Sequence, residues 1–84
     1  MVRFVFSKTA RNDIQGLDSA VRKRLHKKLM QLEQKDALAQ LKKLTDHPSA
    51  EYRLRIGDYR LLLDKAKDTL VILRIRHRKE PYRT

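Results

Sequence analysis

The chain opens on Val2-Arg3-Phe4-Val5-Phe6, a short run rich in β-branched and aromatic residues, which predicts a first strand. Ser7 then stands where a helix needs an N-cap. Ala10, Ile14 and Leu17 recur at i, i+4 and i+7 and make one apolar stripe, so the spacing predicts a short amphipathic helix over residues 8 to about 17. Asp18 restarts the helical signal. Over residues 19 to about 34, Val21, Leu25, Leu29 and Leu32 fall within an arc of about 80° at ~100° per residue, which predicts a second helix packed on one side. Its other faces carry Arg22, Lys23, Arg24, Lys27 and Lys28. The apolar arc is narrow and has no aromatic residue, the mark of a core-facing helix with a solvated basic side rather than of a membrane-binding one.

Leu38, Leu41 and Leu44 recur every three residues, which allows a helical turn or two, and Asp46-His47-Pro48-Ser49 reads as a loop. Beyond it the hydrophobic period drops from 3.6 to 2. Residues 51–56, 59 to about 65, and 69 to about 76 read as three more strands, joined by tight turns at Gly57-Asp58 and Ala66-Lys67-Asp68. Strands so closely linked form an antiparallel meander. The expected fold is therefore α+β, one small domain over residues 1–84 in the order β-α-α-β-β-β. Its sheet is largely antiparallel and is covered on one face by the two N-terminal helices.

Alternation also sorts the charges. On the second predicted strand Tyr52, Leu54 and Ile56 share one face and Arg53 and Arg55 the other; on the third, Tyr59, Leu61 and Leu63 oppose Arg60 and Leu62. On the fourth, Val71, Leu73 and Ile75 are expected to point to the core and Arg74 and Arg76 away from it, with Arg78 in phase beyond them. The open face should then gather Arg53, Arg55, Arg60, Arg74, Arg76 and Arg78.

Composition gives that face a meaning. The 84 residues hold 21 Lys+Arg against 10 Asp+Glu, a net charge of +11, and a field of that sign calls for an anionic partner. Arginine is a telling choice, because guanidinium is always charged, forks onto two phosphate oxygens and stacks on bases. The competing reading is a plain solvent face whose arginines pair with Glu51, Asp58, Asp64 and Glu80. Those acids sit mostly at strand ends and the arginines mid-strand, which favours a polyanion-binding face. There is no cysteine. That excludes disulfides, thiolate zinc sites and cysteine nucleophiles, and three scattered histidines without an i, i+4 pair argue against a metal site. No run approaches the ~18 apolar residues of a membrane span, and the chain reads as soluble and cytoplasmic, with no membrane partner.

Next to the arginines lies His77-Arg78-Lys79-Glu80-Pro81-Tyr82-Arg83, which sets an imidazole and a phenol among further cations. Imidazole can carry a proton near neutral pH, and a tyrosine ring can stack on a base. Tyr52 and Tyr59, on the apolar phase, read as core.

The stretch from Tyr52-Arg53-Leu54-Arg55-Ile56-Gly57-Asp58-Tyr59-Arg60 to Leu73-Arg74-Ile75-Arg76-His77-Arg78-Lys79-Glu80-Pro81-Tyr82-Arg83, with the helical pair and Leu41-Lys42-Lys43-Leu44 before it, resembles the RelE branch of the RelE/ParE toxin superfamily. The resemblance implies a toxin that cleaves mRNA in the ribosomal A site without metal or cofactor and is silenced by an acidic, RelB-like antitoxin. Operator DNA would be met only through the toxin–antitoxin complex. By position it implies Arg60, Arg78, Tyr82 and His77 as catalytic residues, with Arg53, Arg55, Arg74, Arg76, Lys79 and Arg83 along the RNA. Two departures stand out: some members carry lysine where Arg53 and Arg55 stand, and a glycine common before the His-Arg pair is Arg76 here. Two other functions share the fold, a ParE-like inhibitor of DNA gyrase and an inactive toxin that acts only as a corepressor with its antitoxin.

Overall fold

In a computed structural model the described residues are 3–35, 38–45 and 50–77. They form a five-stranded mixed sheet with two helices on one face. The first strand, β1, is Arg3–Phe6, followed by helices α1, Lys8–Gln15, and α2, Ser19–Glu33. A single 3-10 turn, Leu38–Gln40, leads to a two-residue strand, β2, Lys42–Lys43. The meander follows as β3, Tyr52–Ile56, β4, Tyr59–Ala66, and β5, Thr69–His77. Strand order is β1-β5-β4-β3-β2, with β1 parallel to β5 and every other pair antiparallel.

Local chemistry explains the boundaries. Ser7 has extended backbone and its hydroxyl accepts the Ala10 N–H at 3.1 Å, so α1 starts where a side chain meets one of its orphan donors. The helix closes at Gly16, whose N–H reaches back to the Asn12 and Asp13 carbonyls at 3.3 and 3.2 Å. It stops two residues short of the expected Leu17, which still packs against the core. The helix α2 buries Leu25, Leu29 and Leu32 and leaves Lys23, Arg24, Lys27 and Lys28 exposed, as its stripe required.

The three-residue recurrence of Leu38, Leu41 and Leu44 gives only the one 3-10 turn. The chain then extends so that Lys42 and Lys43 pair with Arg53 and Tyr52, a strand too short for periodicity to reveal. The expected loop at 46–49 lies outside the described residues. The turn after β4 is tighter than expected, because Ala66 pairs with Thr69 and leaves Lys67-Asp68 alone as the loop. Lys67 takes φ 55° there, and Gly57 takes φ 57° in the turn before β4.

One hydrophobic core lies between the helices and the sheet. Ala10, Ile14, Leu25, Leu29 and Leu32 meet Leu54, Ile56, Leu61, Leu63, Leu70, Ile72 and Ile75. Leu70 and Ile72 correct the sequence reading of β5, while Ile75 is in the core as expected. Leu70 and Ile72, not Val71 and Leu73, face the core in its first half, and only beyond Leu73 does Ile75 take the inward phase. Pairing shows the cause: Leu63 opposes Ile72 and Leu62 opposes Arg74, so Leu73 is an extra residue in a β-bulge. A bulge changes the phase of a strand without any change in composition, so uniform alternation assigned Val71 and Leu73 to the wrong side.

One face and the outer edge of β1 are tied in. Phe4 and Phe6 pack on the core, and on the outer edge the Phe4 N–H donates to the Glu33 carboxylate at 2.7 Å. That bond occupies a backbone donor that an edge strand would otherwise present to another chain.

Candidate nucleic-acid interface

Strands β3, β4 and β5 set two rows of residues across the face away from the helices. In one row Arg55 opposes Arg60, and Arg60 opposes Arg76. In the next, Lys42 opposes Arg53, Arg53 opposes Leu62, and Leu62 opposes Arg74. Three arginines directly opposite one another on neighbouring strands repel, at a cost of roughly 0.2–1 kcal/mol per pair. A bound polyanion relieves that repulsion.

Leu62 sits in the middle of this basic surface. It is only 7% exposed yet lies outside the core cluster, and its two direct cross-strand neighbours are both arginines. Arginine stems can lie along such an apolar floor while their charged ends stay in water. Arg53, Arg60 and Arg76 are partly buried and Arg55 is exposed. The acids near the far end of the sheet are engaged elsewhere. Asp64 accepts the Glu51 N–H at 2.9 Å and Glu51 accepts the Lys65 N–H at 3.0 Å, so both carboxylates serve the backbone where β3 and β4 begin to part.

The structure thus brings together Arg53, Arg55, Arg60 and Arg76. It treats Arg74 differently. Its Nε donates to Oδ2 of Asp13 on α1 at 3.0 Å and its Nη2 to Oδ1 at 3.4 Å, so the guanidinium is drawn to the helix layer. Sequence reasoning missed Asp13 altogether. The expected acid partners were Glu51, Asp58, Asp64 and Glu80, and nothing in the spacing of α1 tells which strand a mid-helix carboxylate will reach.

His77 stands on the opposite phase of β5 from Arg76. It pairs with Tyr59 on β4, and the two rings meet edge-on, with centroids 5.1 Å apart and an 86° interplanar angle. Tyr59 packs against the core. His77 therefore belongs to the helix-side phase shared by Ile75, while Arg60 and Arg76 belong to the other. Arg78, Lys79, Tyr82 and Arg83 lie outside the described residues. Among the described residues no cluster of three or more His, Asp or Glu side chains is placed to hold a metal ion.

Comparison with known proteins bears on what such a face serves. Residues 4–82 match the family described as ParE toxin of type II toxin-antitoxin system, parDE. The chain is 28% identical to Toxin RelE3 of Methanocaldococcus jannaschii, over 96% of each chain. Its fold superposes on the RelBE2 toxin–antitoxin complex of Mycobacterium tuberculosis with a TM-score of 0.79 and 28% identity, covering 90% of this chain and 96% of that one. The RelB–RelE antitoxin–toxin complex of Methanococcus jannaschii gives a TM-score of 0.69 and 27% identity, covering 89% and 91%.

Proposed function

The chain belongs to the ParE toxin family of type II toxin–antitoxin systems and is RelE-like, and on that premise we propose that it is a ribosome-dependent mRNA endonuclease. The observation that carries the reading is the row Arg55, Arg60, Arg76 across three adjacent strands, with Arg53 beside it. Four guanidinium groups on one face suit a phosphate backbone, and the strands that hold them are the rigid centre of the sheet.

The reaction needs no group the chain lacks. The ribose 2′-hydroxyl gives up its proton as its oxygen attacks the adjacent phosphorus in line, the P–O5′ bond breaks, the 5′-oxygen takes up a proton, and the products are a 2′,3′-cyclic phosphate and a free 5′-hydroxyl. Catalysis then consists of holding the nucleotide in line, answering the charge that builds on the pentavalent phosphorane, and passing a proton to the leaving oxygen. Arg60, at the centre of the row, is assigned to the scissile phosphate together with Arg78, which follows β5 in the sequence. Arg53, Arg55 and Arg76 hold the flanking backbone, with Lys79 and Arg83 beyond. Arginine stays protonated, so these residues supply charge and not a general base. Tyr82 is assigned to base stacking or proton transfer. The position of His77 against Tyr59 supports a structural part for it more than that of proton carrier.

The partner at rest is an acidic antitoxin. The RelBE relatives are complexes of toxin with antitoxin, and a +11 chain of this fold suits an acidic chain laid across it. The site of action is then the cytoplasm, on the translating ribosome, and operator DNA is reached only through the complex. Since the matched family is described by its ParE members, inhibition of gyrase is the second reading. Inducing the protein in growing cells and mapping new mRNA ends decides between them. Cuts at fixed codon positions support the endonuclease, and intact mRNA with induced DNA damage supports the gyrase inhibitor.

A further inference from the structure

The direction in which Arg74 and Arg76 point is set by the bulge. Leu70 and Ile72 face the core, and continuing their phase would aim Arg74 and Arg76 inward as well. Leu73, the extra residue, shifts the phase, so that Ile75 turns to the core and Arg76 stands opposite Arg60 on the other face. The row of arginines therefore exists only while the bulge stays at Leu73.

Two side chains, Ser7 just before α1 and Asp13 within it, hold it there. The Ser7 hydroxyl donates to the Leu73 carbonyl at 3.1 Å. Asp13 Oδ2 accepts the Ile75 N–H at 3.0 Å and the Arg74 Nε–H at 3.0 Å, while Oδ1 faces Arg74 Nη2 at 3.4 Å. By this point β1 has ended, its last backbone contact to β5 being the Ser7 N–H on the Ile72 carbonyl at 2.9 Å. Asp13 therefore does for Ile75 what a neighbouring strand would otherwise do, since a sheltered N–H needs an acceptor. The pair is partly withdrawn from water, with side-chain exposures of 18% for Asp13 and 38% for Arg74.

We propose that Asp13 is a positioning residue of the arginine face. Its carboxylate locks the bulge that aims Arg76 outward, and it withholds the charge of Arg74 from a bound polyanion. The consequence for cleavage rests on the endonuclease reading; the consequence for charge does not.

Binding of poly(U) as a function of salt separates the two. Asp13→Asn keeps an oxygen for the Ile75 N–H but drops the charge, so Arg74 is released and the slope of log Kobs against log salt steepens by about 0.7, one phosphate contact on a single strand. Adding Arg74→Gln to Asp13→Asn returns the slope to the wild-type value. Asp68→Asn makes the same change of charge in the exposed turn between β4 and β5 and leaves the slope where it was. On programmed ribosomes Asp13→Ala, which also removes the acceptor of the Ile75 N–H, lowers the saturating single-turnover cleavage rate by about tenfold without weakening ribosome binding, because the arginine row is displaced and not discharged. The proposal is overturned if Asp13→Asn leaves the poly(U) slope unchanged or shallower, if the double variant stays steep, or if Asp68→Asn steepens it equally. Wild-type cleavage by Asp13→Ala on ribosomes that the parent protein cuts overturns it too. A parent protein that cuts no mRNA defeats the endonuclease reading, and the poly(U) slopes then decide the role of Asp13 alone.

Discussion

Arg60 has another arginine opposite it on each neighbouring strand. Arg55, Arg60 and Arg76 thus share one row of the open face. On the proposed endonuclease reading, removing the central one withdraws stabilisation where transition-state charge accumulates, so Arg60→Ala should lower single-turnover cleavage on programmed ribosomes by about 10²-fold or more. Arg53→Lys retains charge at a flanking position, and its rate should stay within a few-fold of wild type in the same assay. His77 is a different case. Its ring lies edge-on to Tyr59, an arrangement worth roughly 0.5–1.5 kcal/mol beyond burial, so His77→Gln should lower unfolding free energy by about that amount in urea titration. The larger effect should be on unfolding and not on cleavage at saturation.

Among the elements, β5 carries the most consequence, because it pairs with β1 on one side and β4 on the other and changes phase between them. Deleting Leu73 would join Ile72 directly to Arg74 and restore strict alternation, with Leu70, Ile72 and Ile75 still inward and both arginines outward. That variant should fold with an unbroken β4–β5 ladder, visible as protected amides in hydrogen exchange. It loses the carbonyl that Ser7 holds and draws β5 back against Asp13, so cleavage should fall by about tenfold while the fold persists. The two hairpin turns make a matched test of backbone strain. Gly57 and Lys67 both sit at positive φ, where a side chain costs roughly 1–2 kcal/mol and glycine nothing. Gly57→Ala should therefore destabilise, and Lys67→Gly should be neutral or stabilising, by chemical denaturation.

Across the whole molecule, positive charge lies on both sides of the sheet. The arginine rows occupy the open face, and Lys23, Arg24, Lys27 and Lys28 line the exposed side of α2 over the other. Association with ribosomes should accordingly weaken steeply with salt. Four sheet arginines on a single strand give a slope of about −3, and any contact made by α2 adds to it. A flat response would remove the polyanion reading of the face. An acidic antitoxin bound to the folded chain and not to the unfolded one should raise the midpoint of thermal unfolding as its concentration rises.

Periodicity alone determined a great deal. The 3.6-residue stripes of Ala10/Ile14 and Leu25/Leu29/Leu32 placed both helices, and the period-two run after Tyr52 placed β3 and β4 with Arg53, Arg55 and Arg60 on one face. These are local properties, because helix and strand geometry fix which side chains share a side. Tertiary structure alone decided the rest. A two-residue strand such as β2 has no period to read, and it forms because Lys42 and Lys43 find the free edge of β3. The bulge at Leu73 is visible only in the register of β5 on β4, and Val71 and Leu73 lose their expected places in the core to Leu70 and Ile72. The pairing of Asp13 with Arg74 joins residues 61 apart, and only the packing of α1 against β5 brings them within hydrogen-bond reach. Spacing along the chain states which residues lie side by side within an element; which elements meet, and which charge answers which, is settled by the packing of the core.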